Sequence, residues 1–330
     1  MLDISLEATR AKGNLVLTQL AQETKQPEFV MRSIFPLVPV PTYGGTIPKG
    51  DDSIYEEVDD NRADDTPYPE IQEGIDGGPA FRLTTKGLSY RVPDKRRREF
   101  ENLRINWGRR AVRALMKRGG LMHEVEAANR ATNPANYAAS NKITLAGGSR
   151  FNNVDPDPII RTGLSAIALG SGSDASIGIM GRLVFDALAT KFSQNFTSTG
   201  TSPGLRNQLT LDVLANIYGL RKMLICNAIV KRNGAKQRVF GNHMVLASVP
   251  EETIETGMLS YRSNAALDFE IDPSFGYTLV IDGNPQVFDP YYDNDRSATV
   301  YKMDFDRALV NTGVDDSGLF THGYLIENAV

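Results

Sequence analysis

A chain of 330 residues with 41% hydrophobic residues can bury a substantial core, in two domains or in one with large excursions. Its net charge of −4 excludes a protein that binds nucleic acid over its whole surface. The single cysteine, Cys226, excludes an intrachain disulfide framework and fits a reducing compartment. No apolar run approaches the ~18 residues that a membrane span needs. The opening residues, with Asp3 and Glu7, lack the basic-then-apolar order of a signal peptide, so synthesis in the cytosol is expected.

In chain order, residues 1–28 read as a short helix or flexible arm. From Phe29 to Pro41 the text is apolar and extended, and since proline cannot donate to a central ladder, Pro36, Pro39 and Pro41 make it an arm lying along an edge or across a neighbour. Tyr43-Gly44-Gly45-Thr46 turns the chain. Residues 51–76 are acidic and interrupted by Pro67 and Pro69. Phe81 to Thr84 and Leu88 to Val92 then alternate with the period of strands. Together they predict a long hairpin that leaves the body of the protein.

Asp94 follows Pro93 as a candidate N-cap. Phe100, Leu103, Trp107, Ala111, Ala114 and Leu115 recur at spacings of three and four and predict an amphipathic helix. Gly119-Gly120 suggests a kink, beyond which Leu121, Val125 and Ala128 carry the pattern toward Asn133. Trp107, the only tryptophan, is expected to anchor the core. An α+β or α/β module follows: helices over Ile159 to Leu169, Arg182 to Thr190 and Leu209 to Tyr218, the last closed by Gly219. Its strands are expected at Ser176 to Met180, Arg221 to Val230 and His243 to Val249. Three more strands lie at Tyr277 to Ile281, Ala298 to Met303 and Gly323 to Ile326.

The charges are segregated. Residues 51–76 hold eleven acids against Arg62 alone, whereas residues 95–118 hold ten bases against Glu99 and Glu101. Complementary fields of this kind steer and register an interface more than they strengthen it. Docking of one copy's acidic loop, including Asp59, Asp60, Asp64 and Asp65, on another copy's Arg96, Arg97, Arg98, Arg109 and Arg110 is one reading. Two solvated faces that never meet is the other. A phosphate-binding surface is a third, but only Phe100 and Trp107 interleave with the bases, and both lie on the apolar stripe.

The motifs of catalysis are not met. Gly170-Ser171-Gly172-Ser173-Asp174-Ala175 fits a relaxed dinucleotide pattern without the strand before it and the helix after it. His123, His243 and His322 are too scattered for a local zinc motif. Asp289, Asp293 and Asp295 lack the glycine and bidentate glutamate of a calcium loop and read as a solvated turn. Cys226, in the run Met223-Leu224-Ile225-Cys226, reads as a buried inert thiol. No catalytic, cofactor or metal residue is assigned.

The order of these segments resembles the major capsid proteins of tailed bacteriophages, the HK97-like fold. The resemblance is carried by Ile34-Phe35-Pro36-Leu37-Val38-Pro39-Val40, Val92-Pro93-Asp94, Ile143-Thr144-Leu145 and Asp155-Pro156-Asp157-Pro158-Ile159. Ile179-Met180-Gly181-Arg182-Leu183-Val184-Phe185-Asp186-Ala187-Leu188, Leu214-Ala215-Asn216-Ile217-Tyr218-Gly219-Leu220 and the closing text from His322 to Val330 complete it. It implies an α+β chain with an N-terminal arm (1–44), an extended loop (45–92), a peripheral domain with a long spine helix (93–150) and an axial domain (151–254). Residues 255–330 would return to complete both domains. The arm would reach a neighbour through Phe35 and Val38. The implied function is that of a non-enzymatic virion protein, self-assembling through hexamers and pentamers into an icosahedral head around double-stranded DNA. Implied partners are a separate scaffolding protein, a portal, a decoration protein and weak non-specific contact with packaged DNA, with no membrane. The implied location is the virion, and the host cytoplasm during assembly. Some relatives carry isopeptide cross-links; Lys49 and Lys86 lie near the loop, but no asparagine and acid partners stand out. A soluble α+β enzyme and a DNA-binding or tail-associated structural protein are the alternatives.

Overall fold

The computed structural model describes residues 14–22, 29–47, 49–50, 75–76, 79–100, 105–198, 209–251, 254, 274–281, 283–315 and 317–330. Helix α1 (Leu15–Gln22) is followed by a 3-10 turn at Met31–Ser33 and strand β1 (Leu37–Val40). Strands β2 (Gly44–Thr46), β3 (Lys49–Gly50), β4 (Ile75–Asp76), β5 (Ala80–Arg82) and β6 (Gly87–Pro93) lead into helices α2 (Asp94–Glu99) and α3 (Trp107–Ala131). Then come β7 (Lys142–Thr144), α4 (Asp157–Ser171), β8 (Ile177–Gly181), α5 (Arg182–Ser198), α6 (Leu211–Tyr218) and β9 (Lys222–Cys226). The hairpin β10 (Ile229–Arg232) and β11 (Ala235–Arg238) precedes β12 (Met244–Ala247). The return comprises β13 (Tyr277–Ile281), β14 (Gln286–Val287), β15 (Tyr291–Asp293), β16 (Ala298–Asp304), β17 (Arg307–Val310) and β18 (Gly323–Glu327).

A five-stranded mixed sheet, ordered β7-β18-β12-β8-β9, is buried on both faces. Side chains alternate across a strand, and here the alternation sorts residues between two cores. Ile177, Ile179, Val245, Ala247 and Leu325 point to one core, with the apolar end of α3. Met180, Met244, Leu246, Tyr324 and Ile326 point to the other, where α4, α5 and α6 cover the sheet. Helix α4 lies so close to β18 that a Cβ on Gly163 would stand 2.6 Å from the Tyr324 ring. Thr210 caps α6 by accepting the Val213 N–H (3.3 Å), and Gly219 closes it in the left-handed region at φ 67°.

A second unit is built around α3. Strand β16 pairs along its whole length with β6, and shares its other edge between β14 and β15. Helix α1 packs Ala21 against Val112, Leu115 and Met116 of α3, over Val287 and Met303. Between the two units, β1 lies parallel to β13 at the edge of a three-stranded sheet, β1-β13-β17. The edge place suits Pro39 within it, and Val38 and Val40 point inward to Leu279 and Val310.

Several expectations are corrected. The long helix is two: α2 ends at Glu99 with Phe100 as its C-cap, and α3 starts afresh because the Asn106 side chain accepts the Arg109 N–H at 3.0 Å. Four of the six residues of α2 are Lys95, Arg96, Arg97 and Arg98, none of them buried, so no apolar stripe holds it to α3. Asp94 is the first residue of α2 rather than its N-cap. Trp107 opens α3 half-buried beneath the Arg110 guanidinium (5.8 Å) instead of anchoring the core, and Ala114 is exposed. Gly119 and Gly120 lie within an unbroken helix, buried on its packed face. The run Arg221 to Val230 divides into β9 and β10, which belong to different sheets.

Most of the acidic segment, with Asp59, Asp60, Asp64 and Asp65, lies outside the described residues. Its two described ends run antiparallel, with β3 on β4 and β2 on β5.

Candidate functional site

The buried polar groups of this protein converge where the segment at Val30–Val40, the base of the loop at Lys86, helix α3 and β17 meet. Glu124 sits on the packed face of α3, in phase with Gly120, Ala127, Ala128 and Ala131, and is wholly buried. Its carboxylate accepts the backbone N–H groups of Val30 and Met31, each at 3.0 Å, and the Cys226 thiol at 3.4 Å. One side chain therefore ties the N-terminal segment to α3 and to the five-stranded sheet. Burial pushes the Glu124 carboxyl above the ordinary glutamate range, against the pull of these donors and of the Arg32 charge. Burial, together with the Glu124 charge, pushes the Cys226 thiol up to about 12, which makes it a poor nucleophile.

Two residues further along α3, burial opposes the ionisation of Glu126, but the Lys86 ammonium and the Arg307 guanidinium hold its carboxyl below the ordinary range. Lys86 Nζ reaches its two oxygens at 2.7 and 2.6 Å, and Arg307 donates to one of them at 3.0 and 3.2 Å. Asp306 completes the weld by accepting the Tyr43 hydroxyl and the Lys86 backbone N–H, both at 3.0 Å. The base of the loop is thus pinned to α3 and to the start of β17. The same bonds engage the Lys86 ammonium, which had been a cross-link candidate.

His123 Nε2 lies 2.9 Å from the Thr278 hydroxyl, which itself donates to the Phe35 carbonyl at 3.0 Å. The hydroxyl has one proton, so the imidazole supplies the other. Burial, and then the charges of Arg307, Arg32 and Lys86, hold this histidine well below its ordinary range and therefore neutral. His243 and His322 lie elsewhere, beside Asn328 and Thr321. Among the described residues no group of three histidine, cysteine or acidic side chains is placed to hold a metal ion. Gly170 to Ser173 forms the end of α4, where Gly172 takes φ 66° and the Ser171 hydroxyl bonds back to Ile167. Asp289 and Asp293 are spent on Asn14 and on the Arg296 backbone N–H. Chemically, these groups hold segments together.

Of the interface candidates, Arg96, Arg97 and Arg98 on α2 and Arg109 and Arg110 on α3 are all exposed. They lie on two helices, and none makes an ion pair with a described residue. Phe35 and Val38 are a correction, since the chain covers both itself. Phe35 meets Phe275 edge-on at 5.2 Å, and Phe275 stacks on Phe320 at 4.3 Å. The apolar face of this segment is spent inside the subunit. Glu124 and Glu126 were not singled out from the sequence; a glutamate in phase with the buried alanines of α3 was the available signal.

No family model matches the chain. It is 27% identical over 281 residues to the major capsid protein of Burkholderia phage BcepMu, covering 82% of this chain and 84% of that one. The crystal structure of a phage-related protein from Bordetella bronchiseptica RB50 superposes with a TM-score of 0.72 at 25% identity, over 96% of this chain and 97% of the other. The capsid structure of the cyanophage P-SCSP1u gives a TM-score of 0.52 at 7% identity, over 92% and 89%. The chain has the HK97-like capsid fold. In an HK97-like chain the polar junction acquires a definite place. It lies within one subunit, where it fixes the N-terminal segment and the loop base to α3, while the arginines of α2 and α3 remain on the outside.

Proposed function

We propose that this chain is the major capsid protein of a tailed bacteriophage, many copies of which close into an icosahedral shell around double-stranded DNA. The observation that carries this reading is the near full-length similarity to a phage major capsid protein. The chain's principal partner is itself, in the hexamers and pentamers of the shell. A separate scaffolding protein, a portal and a decoration protein are further partners on this reading, and the site of assembly is the host cytoplasm. Within the shell, the acidic segment of one copy, with Asp59, Asp60, Asp64 and Asp65, docks on Arg96, Arg97, Arg98, Arg109 and Arg110 of another. The exposure of all five arginines supports this. Each exposed pair contributes only ~0–1 kcal/mol, so registration comes from many repeated weak contacts. Arginines left over give weak, salt-dependent contact with packaged DNA.

The test is negative-stain electron microscopy of the chain expressed alone and with scaffolding proteins. Closed shells of uniform size are the expected result. Monomers or small oligomers in every combination and at every salt concentration would overturn the reading.

A further inference from the structure

Beneath Gly119 and Gly120 of α3 lies a cavity of about 180 Å3. Its walls are mostly apolar, with Met116, Val280, Met303 and Phe305, and polar groups of Arg32, His123, Asn284, Asp306 and Arg307 also line it. Three of these five polar residues are already engaged. Asp306 accepts Tyr43 and Lys86, Arg307 donates to Glu126, and His123 bonds Thr278. Two are not. The Arg32 side chain, which is only partly exposed, makes no hydrogen bond or ion pair with a described residue, and burial lowers its basicity. The buried Nδ2 of Asn284 has no hydrogen-bond partner. Glu124, whose charge acts on Arg32, is occupied by Val30, Met31 and Cys226.

The donors left over in this cavity are those of Arg32, which is cationic, and of Asn284 Nδ2. Leaving Asn284 Nδ2 buried and unpaired costs free energy that a matching acceptor recovers, and the Arg32 charge favours an anionic one. We propose that the cavity is a binding site for a small monocarboxylate with an apolar body. The carboxylate is received by Arg32 and Asn284, and the body lies against Met116, Val280, Met303 and Phe305. Size agrees: an apolar cavity of about 150 Å3 takes up benzene, so about 180 Å3 suits a ring or short chain carrying one carboxylate. A phosphate fits the chemistry less well. It would bring a strongly hydrated double charge next to Asp306 and set it among apolar walls. Because Arg32 follows the two residues that Glu124 holds, the bound acid would also brace the N-terminal segment against α3. This inference does not depend on the capsid reading.

The probe is 4-fluorobenzoate, titrated into the full-length chain and followed by fluorine NMR and by the thermal midpoint. The expected result is saturable binding with a rising midpoint, and affinity for neutral 4-fluorobenzyl alcohol weaker by about tenfold or more. Arg32→Met and, independently, Asn284→Leu should each weaken 4-fluorobenzoate by a similar factor; the second variant decides if the first does not fold. No saturable change at millimolar probe, equal binding of acid and alcohol, or unchanged affinity in a folded variant would each overturn the proposal.

Discussion

Replacing Glu124 by alanine removes the acceptor for two backbone N–H groups, those of Val30 and Met31, and for the Cys226 thiol. A buried donor left unsatisfied costs about 1–3 kcal/mol, so the two amides together put the local loss at about 2–6 kcal/mol. Glutamine preserves the shape and one acceptor oxygen, and should cost about half as much. The loss should be local, so native-state hydrogen exchange on unassembled subunits is the suitable assay. In Glu124→Ala the amides of Val30 and Met31 should exchange faster by about 25-fold or more, since ~1.4 kcal/mol is a factor of ten. Amides of β6 and β16 should be unchanged. The pH dependence adds a second check. The folded Glu124 carboxyl titrates above its unfolded value because of burial. Its stabilising contribution is therefore complete below the unfolded value and is lost as pH rises through the folded one. Protection of the segment, corrected for intrinsic exchange, should fall over that window in the wild type and stay flat in Glu124→Gln. Unchanged protection of Val30 and Met31 in Glu124→Ala would refute the assignment of Glu124 as the tie.

Reversing Arg96, Arg97 and Arg98 to glutamate together should leave the subunit's thermal midpoint nearly unchanged, since all three are exposed. It should abolish closed shells in electron micrographs; normal particles would count against loop-to-helix docking. The initial rate of assembly, followed by light scattering, should fall as salt rises, while finished shells should tolerate the same salt. A rate independent of salt would dismiss the electrostatic registration. Gly163→Ala should destabilise by about 1–3 kcal/mol in chemical denaturation, because its Cβ would stand 2.6 Å from the Tyr324 ring. Gly119→Ala should instead stabilise by about 0.5–1 kcal/mol, since its Cβ would meet Met303 and Phe305 at an ordinary 3.6 Å and the helix gains a better former. Equal effects at the two glycines would contradict the packing.

Local physics accounts for what was legible in the sequence. The Gly219 stop after α6, the edge strand enforced by Pro39, and the helix–strand alternation from Asp157 to Ala247 each follow from backbone preferences and apolar period, which short windows contain. So does the exposure of the arginines on α2, where six residues offer no apolar face. The segregation of charge, and the order of segments that resembles a capsid protein, also needed no tertiary information. Tertiary structure alone decided the rest. Phe35 and Val38 look like an arm for a neighbour until Phe275, 240 residues on, and Leu279 are brought against them. The junction of Lys86, Glu126 and Arg307 spans more than two hundred residues of sequence, and no local pattern fixes which of many acids and bases will meet. Whether a buried polar group is satisfied or left wanting, as at Glu124 and Asn284, depends on donors and acceptors arriving from distant segments. The sequence alone determined which segments form and which faces are apolar or charged; only the packed chain decided which polar groups are consumed within the subunit and which remain to bind something else.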